Sequence, residues 1–296
     1  NPGFKASTEE FNTGVVGGSW ATGGSLNTAR NGLGGAGIQT AALAFGGTPG
    51  PSGNTETYNG TNWTEVNNLN TARRWLGSCG TNTAALGFGG STPPTTAITE
   101  LWNGTNWTEV NDLNQARSSM PGGLGTSTAA LGFGGYNPPS LFAITELWNG
   151  TNWTEVNDLN TARDFLTGAG TTTAGLAFGG GIPSSSPTAV TESWNGTNWT
   201  EVNDLNNARD QLAGDGTQTS ALAFGGTDPS SPVALTESWN GTNWTEVGDL
   251  TAATSRLAGA GASNTSALAF GGQAPSTTAK TEIWVAGPQV KTITTD

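Results

Sequence analysis

The chain contains no histidine among its 296 residues, and it has only one cysteine and two tyrosines. The missing histidine excludes catalytic triads with a histidine base and metal sites that depend on histidine ligands. The single cysteine, Cys79, cannot form an internal disulfide. Its place beside Gly80 in a strand-like segment predicts a small buried residue.

Charged residues are also scarce, at 11 % of the chain, and the net charge is −12. An acidic chain lacks the basic surface that would attract nucleic acids or anionic membranes, so we expect neither as a partner. We interpret the negative charge as serving solubility. No apolar run approaches the roughly 18 residues of a membrane span, so we expect no membrane insertion. The chain begins with Asn and shows no signal peptide, so we expect a processed form or part of a longer protein.

One phrase, Asn-Gly-Thr-Asn-Trp-Thr-Glu-Val, occurs five times, and a degenerate copy surrounds Trp20. The aligned tryptophans are 43 to 46 residues apart, and no stretch between them has the apolar spacing of a long helix. Repeats of this length built from short strands are typical of β-propeller blades. The repeated tryptophans are Trp20, Trp63, Trp107, Trp153, Trp199 and Trp244.

Each repeat predicts four short strands, here named a to d. In the unit after Arg163 we expect strand a over Phe165–Gly170, strand b over Ala174–Phe178, strand c over Thr191–Trp194 and strand d over Trp199–Val202. Bulky residues alternate with Ala or Gly in strand b, which lets a bulky face of one blade stack on a small face of its neighbour. The Asn-Gly pair between strands c and d predicts a type I′ turn, in which both residues have positive φ.

The order of these features resembles the kelch repeat. In the second unit a hydrophobic strand ends in Gly89-Gly90, strand c carries Trp102, strand d begins at Trp107, and Arg117 follows. The resemblance covers residues 7–285 and implies an all-β, six-bladed β-propeller of four-stranded kelch-like blades. Kelch-like propellers include protein-binding adaptors, glycan binders and the central domain of copper-dependent galactose oxidases.

Ring closure requires strands from both ends of the chain. We expect residues 1–296 to form one domain, in which the sixth blade takes strands a, b and c from around Leu257–Trp284 and strand d from the segment around Trp20. Closure removes the exposed edge of an open sheet. Two alternatives stay open, because Thr8–Asn12 also resembles a strand c and Val290–Thr295 alternates like a further strand.

Residues that recur once per blade are predicted to have a structural role. An arginine follows strand d in five units, and the sixth unit has Thr254 there. We interpret each arginine as a tie at a blade junction, with the glutamate of strand c as its candidate partner; a ring of arginines that binds an anion is the alternative. Asp158 and its repeats are interpreted as turn caps, with Ca²⁺ ligation as the weaker alternative. The arginines are Arg30, Arg73, Arg117, Arg163 and Arg209, and the glutamates are Glu56, Glu100, Glu146, Glu192, Glu237 and Glu282.

The same repetition argues against an enzyme, because a catalytic constellation breaks symmetry and most acidic residues here occupy repeated positions. The resemblance to galactose oxidase stops at the fold, since that copper site needs His and Tyr ligands. Sialidase-like chemistry needs a tyrosine nucleophile, whereas Tyr58 only replaces the tryptophan of strand c. We therefore expect a non-enzymatic protein with no cofactor and no metal.

The Asn-X-Thr sequons are acceptors for glycans in a eukaryotic secreted protein, but turn chemistry already explains Asn-Gly-Thr.

The repeats differ from one another in two zones, which the propeller path places on one face. These are the b–c loops, rich in Pro, Ser and Thr, and the residues that follow the repeated arginine. Loops on a rigid scaffold commonly carry binding sites, and exposed aromatics suit sugars or protein partners. Drift in unconstrained loops is the alternative. The candidate binding residues are Arg74, Trp75, Tyr136, Phe142, Asp164, Phe165, Gln211 and Arg256.

These features predict a binding module whose partner is a protein or a glycan. The near-identical Asn/Thr/Gly repeats resemble the repetitive kelch-like proteins of marine bacteria and their phages. That resemblance implies an extracellular or virion-surface location, such as a tail appendage. The alternative is a purely structural propeller that packs in a larger assembly or as a homo-oligomer.

Overall fold

The computed structural model describes residues 16–120, 123–183 and 186–288, and all regular structure in these ranges is β-strand. Six antiparallel sheets of four strands each form a ring, so the chain is a six-bladed β-propeller. Strands a of neighbouring blades contact one another all the way round, which places strand a at the axis and strand d at the circumference. Within these ranges there is no helix long and apolar enough to cross a membrane.

The strands follow one another with little variation in length. The first strand, β1 (Val16–Thr22), belongs to blade 6. Blade 1 contains β2 (Gly34–Ile38), β3 (Ala41–Phe45), β4 (Thr55–Tyr58) and β5 (Trp63–Val66); blade 2 contains β6 (Gly77–Thr81), β7 (Ala84–Phe88), β8 (Thr99–Trp102) and β9 (Trp107–Val110). Blade 3 contains β10 (Gly123–Thr126), β11 (Ala129–Phe133), β14 (Thr145–Trp148) and β15 (Trp153–Val156), with a ribbon of β12 (Tyr136–Asn137) and β13 (Ser140–Leu141) in its b–c loop. Blade 4 contains β16 (Thr167–Thr171), β17 (Ala174–Phe178), β20 (Thr191–Trp194) and β21 (Trp199–Glu201), with a ribbon of β18 (Gly181–Ile182) and β19 (Ser186–Pro187). Blade 5 contains β22 (Ala213–Thr217), β23 (Ser220–Phe224), β24 (Thr236–Trp239) and β25 (Trp244–Glu246); blade 6 contains β26 (Ala258–Ser263), β27 (Ser266–Phe270), β28 (Thr281–Pro288) and β1.

Strand boundaries in blade 4 follow the sequence prediction closely. Strands b and c have the expected bounds, and strand d ends one residue early, at Glu201. Strand a begins at Thr167 instead of Phe165. Phe165 has a φ of 50°, a left-handed conformation that a regular strand cannot contain, so the strand starts after it.

The connection between strands c and d is a four-residue loop, and the predicted type I′ turn is wrong. In blade 2, Trp102 pairs with Trp107, and Gly104 has a φ of 91° whereas Asn103 does not have a positive φ. Asn103 Oδ1 instead accepts hydrogen bonds from the N–H groups of Thr105 and Asn106, at 2.9 and 2.8 Å. The asparagine therefore caps the loop with its side chain, which does not require the left-handed conformation.

The N-terminal strand closes the ring. Strand β1 pairs with β28 from Val16↔Pro288 to Thr22↔Glu282, and Trp20 lies opposite Trp284 as Trp107 lies opposite Trp102 in blade 2. The prediction that the Trp20 segment supplies strand d of blade 6 is confirmed. The alternative strands, Thr8–Asn12 and Val290–Thr295, lie outside the described residues.

The hydrophobic core consists of six clusters, one at each blade interface. Between blades 1 and 2, Leu43 and Phe45 of strand b pack against Ala85, Trp102 and Trp107 of the next blade. The rings of Phe45 and Trp107 have centroids 4.7 Å apart and are tilted by 56°, a favourable aromatic geometry. The bulky face of strand b therefore packs on a small residue, Ala85, as predicted, but also on two tryptophans of the next blade.

A buried hydrogen bond between tryptophan and threonine accompanies each of these contacts. Trp107 Nε1 of blade 2 donates to Thr55 Oγ1 of blade 1 at 3.1 Å, which satisfies an indole N–H that burial would otherwise leave unpaired. The same bond crosses every other interface, including the two that flank β1. The further pairs are Trp20–Thr236, Trp63–Thr281, Trp153–Thr99, Trp199–Thr145 and Trp244–Thr191.

The five repeated arginines are buried, and four of them clamp the two ends of a b–c loop, whereas Arg117 donates to the Gly132 carbonyl in strand b. Arg163 Nη2 pairs with Glu192 Oε1 at 2.9 Å, and Nη1 donates to the carbonyls of Gly179 and Val190, at the two ends of the loop, at 2.7 Å each. The other carboxylate oxygen accepts the backbone and side-chain N–H groups of Asn160. Burial lowers the pKa of Arg163, and the charge of Glu192 opposes that shift. The predicted ion pair with strand c is confirmed.

The sixth junction lacks the arginine, as predicted from Thr254. Glu282 instead pairs with Lys280 Nζ at 2.9 Å and accepts the Thr251 N–H at 2.9 Å. The predicted burial of Cys79 is confirmed, and it raises the pKa of the thiol to about 12. Asp158 is not a turn cap, because its Oδ1 accepts the N–H of Thr145, the first residue of strand c, at 3.0 Å.

Deletion of residues 1–25 is expected to destabilise the whole ring, because blade 6 loses its outer strand and β28 gains an unpaired edge. The loss should be at least about 3–5 kcal/mol, the cost of one buried tryptophan, in chemical denaturation. Trp20→Phe in the full chain keeps the strand and removes the indole donor, so it should lose much less. Equal midpoints for the deletion and the full chain would show that β1 does not close the ring.

Arg163→Ala is expected to lower the free energy of unfolding by about 3–5 kcal/mol, because it leaves Glu192 buried without its partner. The double variant with Glu192→Ala should lose less, since no uncompensated charge remains. Urea denaturation of both variants measures this difference. A double variant that is less stable than the single one would contradict the clamp's electrostatic role.

Candidate functional site

The two variable zones lie on one face, as the sequence predicted. The linker from each strand d to the next strand a pairs with the start of the next b–c loop, for example Arg74 with Ser91 and Asp164 with Gly181. We name this side the rim face and the side with the c–d loops the hairpin face. The other linker–loop pairs are Asn31↔Thr48, Ser118↔Tyr136, Asp210↔Thr227 and Ser255↔Gln273.

Six linker residues form a closed ring of backbone hydrogen bonds at the axis of the rim face. Each N–H donates to the carbonyl of the corresponding residue in the preceding linker, at 2.7 to 3.0 Å, and all six residues have φ between 50° and 59°. The Trp75 N–H donates to Gly32, and the Gly32 N–H donates to Arg256, which closes the cycle. We name this ring the collar; its members are Gly32, Trp75, Ser119, Phe165, Gln211 and Arg256.

Five collar members are non-glycine residues in a left-handed conformation, which costs about 1–3 kcal/mol per residue. The collar hydrogen bonds and the flanking strands hold them there. Sequence reasoning missed the collar because its side chains differ in every blade. A signal was nevertheless present in the sequence. Each collar residue directly precedes the Leu or Met that comes before strand a of the next blade.

The collar brings four of the predicted binding residues together. Trp75, Phe165, Gln211 and Arg256 line a depression at the mouth of the axial channel. The Trp75 and Phe165 rings meet edge to face, with centroids 6.2 Å apart and planes at 85°. Arg256 Nε donates to Gln211 Oε1 at 2.6 Å.

The aromatic pair fills most of the channel mouth. The space left in the depression is about 10 Å³, which is room for about one water molecule. Trp75 and Phe165 are half-buried, so the expectation of freely exposed aromatics is wrong. The reason is their mutual contact across the axis, which no feature of the separate repeats indicates.

Trp75 lies over Gly32, where a Cβ atom would overlap the indole. The guanidinium of Arg74 sits 4.2 Å from the indole centroid, a cation–π arrangement. Within the described part of the chain, the buried donors Trp75 Nε1 and Arg74 Nε have no hydrogen-bond partner. Two unsatisfied donors therefore lie beside the depression.

Tyr136 and Phe142 are on the rim face but outside the depression. Tyr136 pairs with Ser118 through two backbone hydrogen bonds, and the Phe142 carbonyl accepts the N–H of Arg163. Both side chains are half-buried in the b–c loop of blade 3. They extend the aromatic surface outward from the collar.

Two aspartates converge next to the collar. A Cβ at Gly181 would lie 2.7 Å from Asp164 Oδ1 and 3.6 Å from Asp210 Oδ2, so both carboxylates approach this glycine. Burial, with the charge of Asp210 as a second cause, raises the pKa of Asp164 to about 7. Burial also raises the pKa of Asp210, opposed by a hydrogen bond from Gln211 and by the charge of Arg256. Asp210 was not among the predicted site residues, although only these two linkers carry Asp at this position.

The hairpin face is chemically uniform. Asn67 Nδ2 donates to Thr105 O and Asn106 Oδ1 of the next blade, at 3.0 and 2.8 Å, and three further asparagines repeat this bridge. The loops themselves are exposed and nearly identical in sequence. This face therefore offers one repeated polar surface.

No protein-family model and no curated protein gives a significant match to the chain. The class of protein therefore rests on its architecture, a six-bladed β-propeller of four-stranded tandem repeats. This fold is compatible with a binding module or a structural module. In the described ranges, no three side chains among His, Cys, Asp and Glu group as metal ligands would.

The stability of the protein is expected to depend on pH through Asp164. Its folded pKa of about 7 exceeds the unfolded value of about 3.9, so the stability that the neutral carboxyl contributes is complete below pH 4 and is lost as the pH rises towards 7. Asp164→Asn should remove this decline. Between pH 4.5 and pH 7.5 the free energy of unfolding of the variant should therefore rise by about 1–2 kcal/mol relative to that of wild type, after allowance for solvent screening. Urea denaturation at both pH values measures it. Glu155→Gln, at an exposed carboxyl, is the control, and equal slopes for Asp164→Asn and wild type would contradict the shift.

Proposed function

We propose that this propeller is a non-enzymatic, kelch-type binding module that recognises a protein or glycan partner through its rim face. The observation that carries the proposal is the collar. A symmetric backbone ring presents asymmetric side chains, and it gathers Trp75, Phe165, Gln211 and Arg256 at one point on the axis. Tryptophan and arginine are among the residue types that are enriched in binding hot spots.

The backbone of the collar is preorganised for binding. Its backbone conformations are held by hydrogen bonds on both sides, so a partner orders little chain when it docks. The half-buried guanidinium of Arg74 favours a partner with acceptor oxygens, which sugars and peptide carbonyls both have. The depression is too small to enclose a sugar ring, so the partner lies across the rim and contacts Tyr136 and Phe142 as well.

The repeated acidic residues support the absence of catalysis. Glu192 and four of its equivalents pair with the repeated arginines, Glu282 pairs with Lys280, and Asp158 and its equivalents cap strand c. Neither set is free for general acid–base chemistry. The remaining repeated glutamates, such as Glu155, are exposed on strand d, far from the collar.

We place the protein outside the cell or on a virion, in keeping with the acidic, Asn/Thr/Gly-rich repeats that the kelch-like proteins of bacteria and phages share. The alternative is a structural propeller in a larger assembly. The uniform hairpin face favours it, because identical loops offer repeated contacts to copies of one partner.

Trp75→Ala and Phe165→Ala are each expected to lower partner affinity about tenfold or more, because one lost aromatic anchor costs over 1 kcal/mol. Neither residue belongs to the six core clusters, so both variants should fold. A glycan array with wild type, followed by titration of any hit against the variants, measures the effect.

Thr105→Ala and Thr151→Ala, at equivalent exposed positions of the hairpin face, are the matched controls and should bind as wild type. Loss of binding in the threonine variants, with normal binding in the aromatic variants, would show that the site lies on the hairpin face and not on the rim face. An array without hits, together with oligomers in sedimentation, would support the structural alternative.

A further inference from the structure

The axial channel contains a polar cavity of about 110 Å³, large enough for several water molecules. Strand a of each blade lines it and is the end strand of its sheet, so only one of its edges pairs with strand b. The other edge directs backbone N–H and C=O groups towards the channel. The channel thus has a supply of carbonyl oxygens contributed by six strands.

Asp215 breaks the symmetry of this lining. It is the only charged residue among the described residues around the cavity. In the other blades the position one residue before the last glycine of strand a is apolar or a thiol. Those residues are Ala36, Cys79, Leu124, Ala169 and Ala260.

The carboxylate of Asp215 has no counter-charge in the described protein. Its Oδ2 atom is buried and has no hydrogen-bond partner, although the residue as a whole is partly exposed to the channel. It lies against strand a of blade 6, where a Cβ on Gly259 would overlap Oδ2 and a Cβ on Gly261 would lie 2.9 Å from the Asp215 Cβ. Its partner on strand b is Leu222, so the neighbouring strands supply only Gly and apolar residues.

An ionised carboxylate in such surroundings is costly unless a cation accompanies it. Burial alone raises the pKa of Asp215 well above its ordinary value, with no contribution from a nearby positive group. The site therefore combines an unpaired acid with surplus backbone oxygens in one enclosed space.

We propose that the channel binds one Ca²⁺ ion, held by the Asp215 carboxylate, by channel-facing carbonyls of the a strands and by water. Ca²⁺ accepts six to eight oxygen ligands of mixed type in irregular geometry, whereas Mg²⁺ needs a near-ideal octahedron. One carboxylate gives weak binding, on the order of 10⁻⁴–10⁻³ M, as in extracellular calcium modules. Because Trp75 and Phe165 fill the rim mouth, the ion enters from the hairpin face. The site does not depend on the rim-face function.

The test is a Ca²⁺ titration of the unfolding midpoint by scanning fluorimetry at pH 7.5 and constant ionic strength, with Mg²⁺ and Na⁺ as comparison ions. The wild-type midpoint should rise with the logarithm of the Ca²⁺ concentration once that concentration exceeds the dissociation constant, by about 2–3 °C at tenfold excess. Asp215→Ala places at this position the residue that blades 1, 4 and 6 carry, so it should fold. It should have a higher midpoint than wild type in chelator and no response to Ca²⁺.

Glu155→Ala, which removes an exposed carboxyl, is the matched control and should keep the full response. Asp164→Asn should also keep it, which separates the channel from the acidic pair at the rim. Should Asp215→Ala fail to fold, the isosteric Asp215→Asn is titrated in its place, with calorimetry as a second readout. A wild-type midpoint that does not respond to Ca²⁺, an Asp215 variant that responds normally, or an equal response to Mg²⁺ would each overturn the proposal.

Discussion

The structure depends on one contact repeated six times, the packing of a strand-b phenylalanine against the strand-d tryptophan of the next blade. Phe45 and Trp107 illustrate it, with the indole N–H bonded to Thr55 of the first blade. Each blade is hydrophobic on both faces, so no blade can bury its surface without two neighbours. The burial is complete only when the ring closes, which is why β1 must return to β28.

This constraint separates two kinds of residue. Those that recur in five or six blades are committed to the scaffold: the tryptophans cross the interfaces, the arginines pair with the strand-c glutamates, and the asparagines cap the c–d loops. Residues that differ between blades are free to serve a particular partner or ion. The clamp connects the two kinds, since Arg163 holds both ends of the blade 4 loop at the rim face.

The collar shows how a symmetric scaffold builds an asymmetric site. Its hydrogen bonds involve only backbone atoms, so they place no demand on the side chains. A tryptophan, a phenylalanine, a glutamine and an arginine therefore meet at the axis without disturbing the ring. The same freedom applies below the collar, where Asp215 occupies a place that alanine fills in three other blades.

The sequence by itself determined the number of blades and the strands b and c, and it indicated the closing strand and the pairing of Arg163 with Glu192 while alternatives to both stayed open. These follow from local alternation and from repetition, which one chain displays directly. Only the tertiary structure decided the collar, the contact between Trp75 and Phe165, the approach of Asp164 to Asp210, and the burial of Asp215. Each of these joins residues of different blades across the axis. Their distances depend on how six blades close into a ring, a property that no single repeat contains.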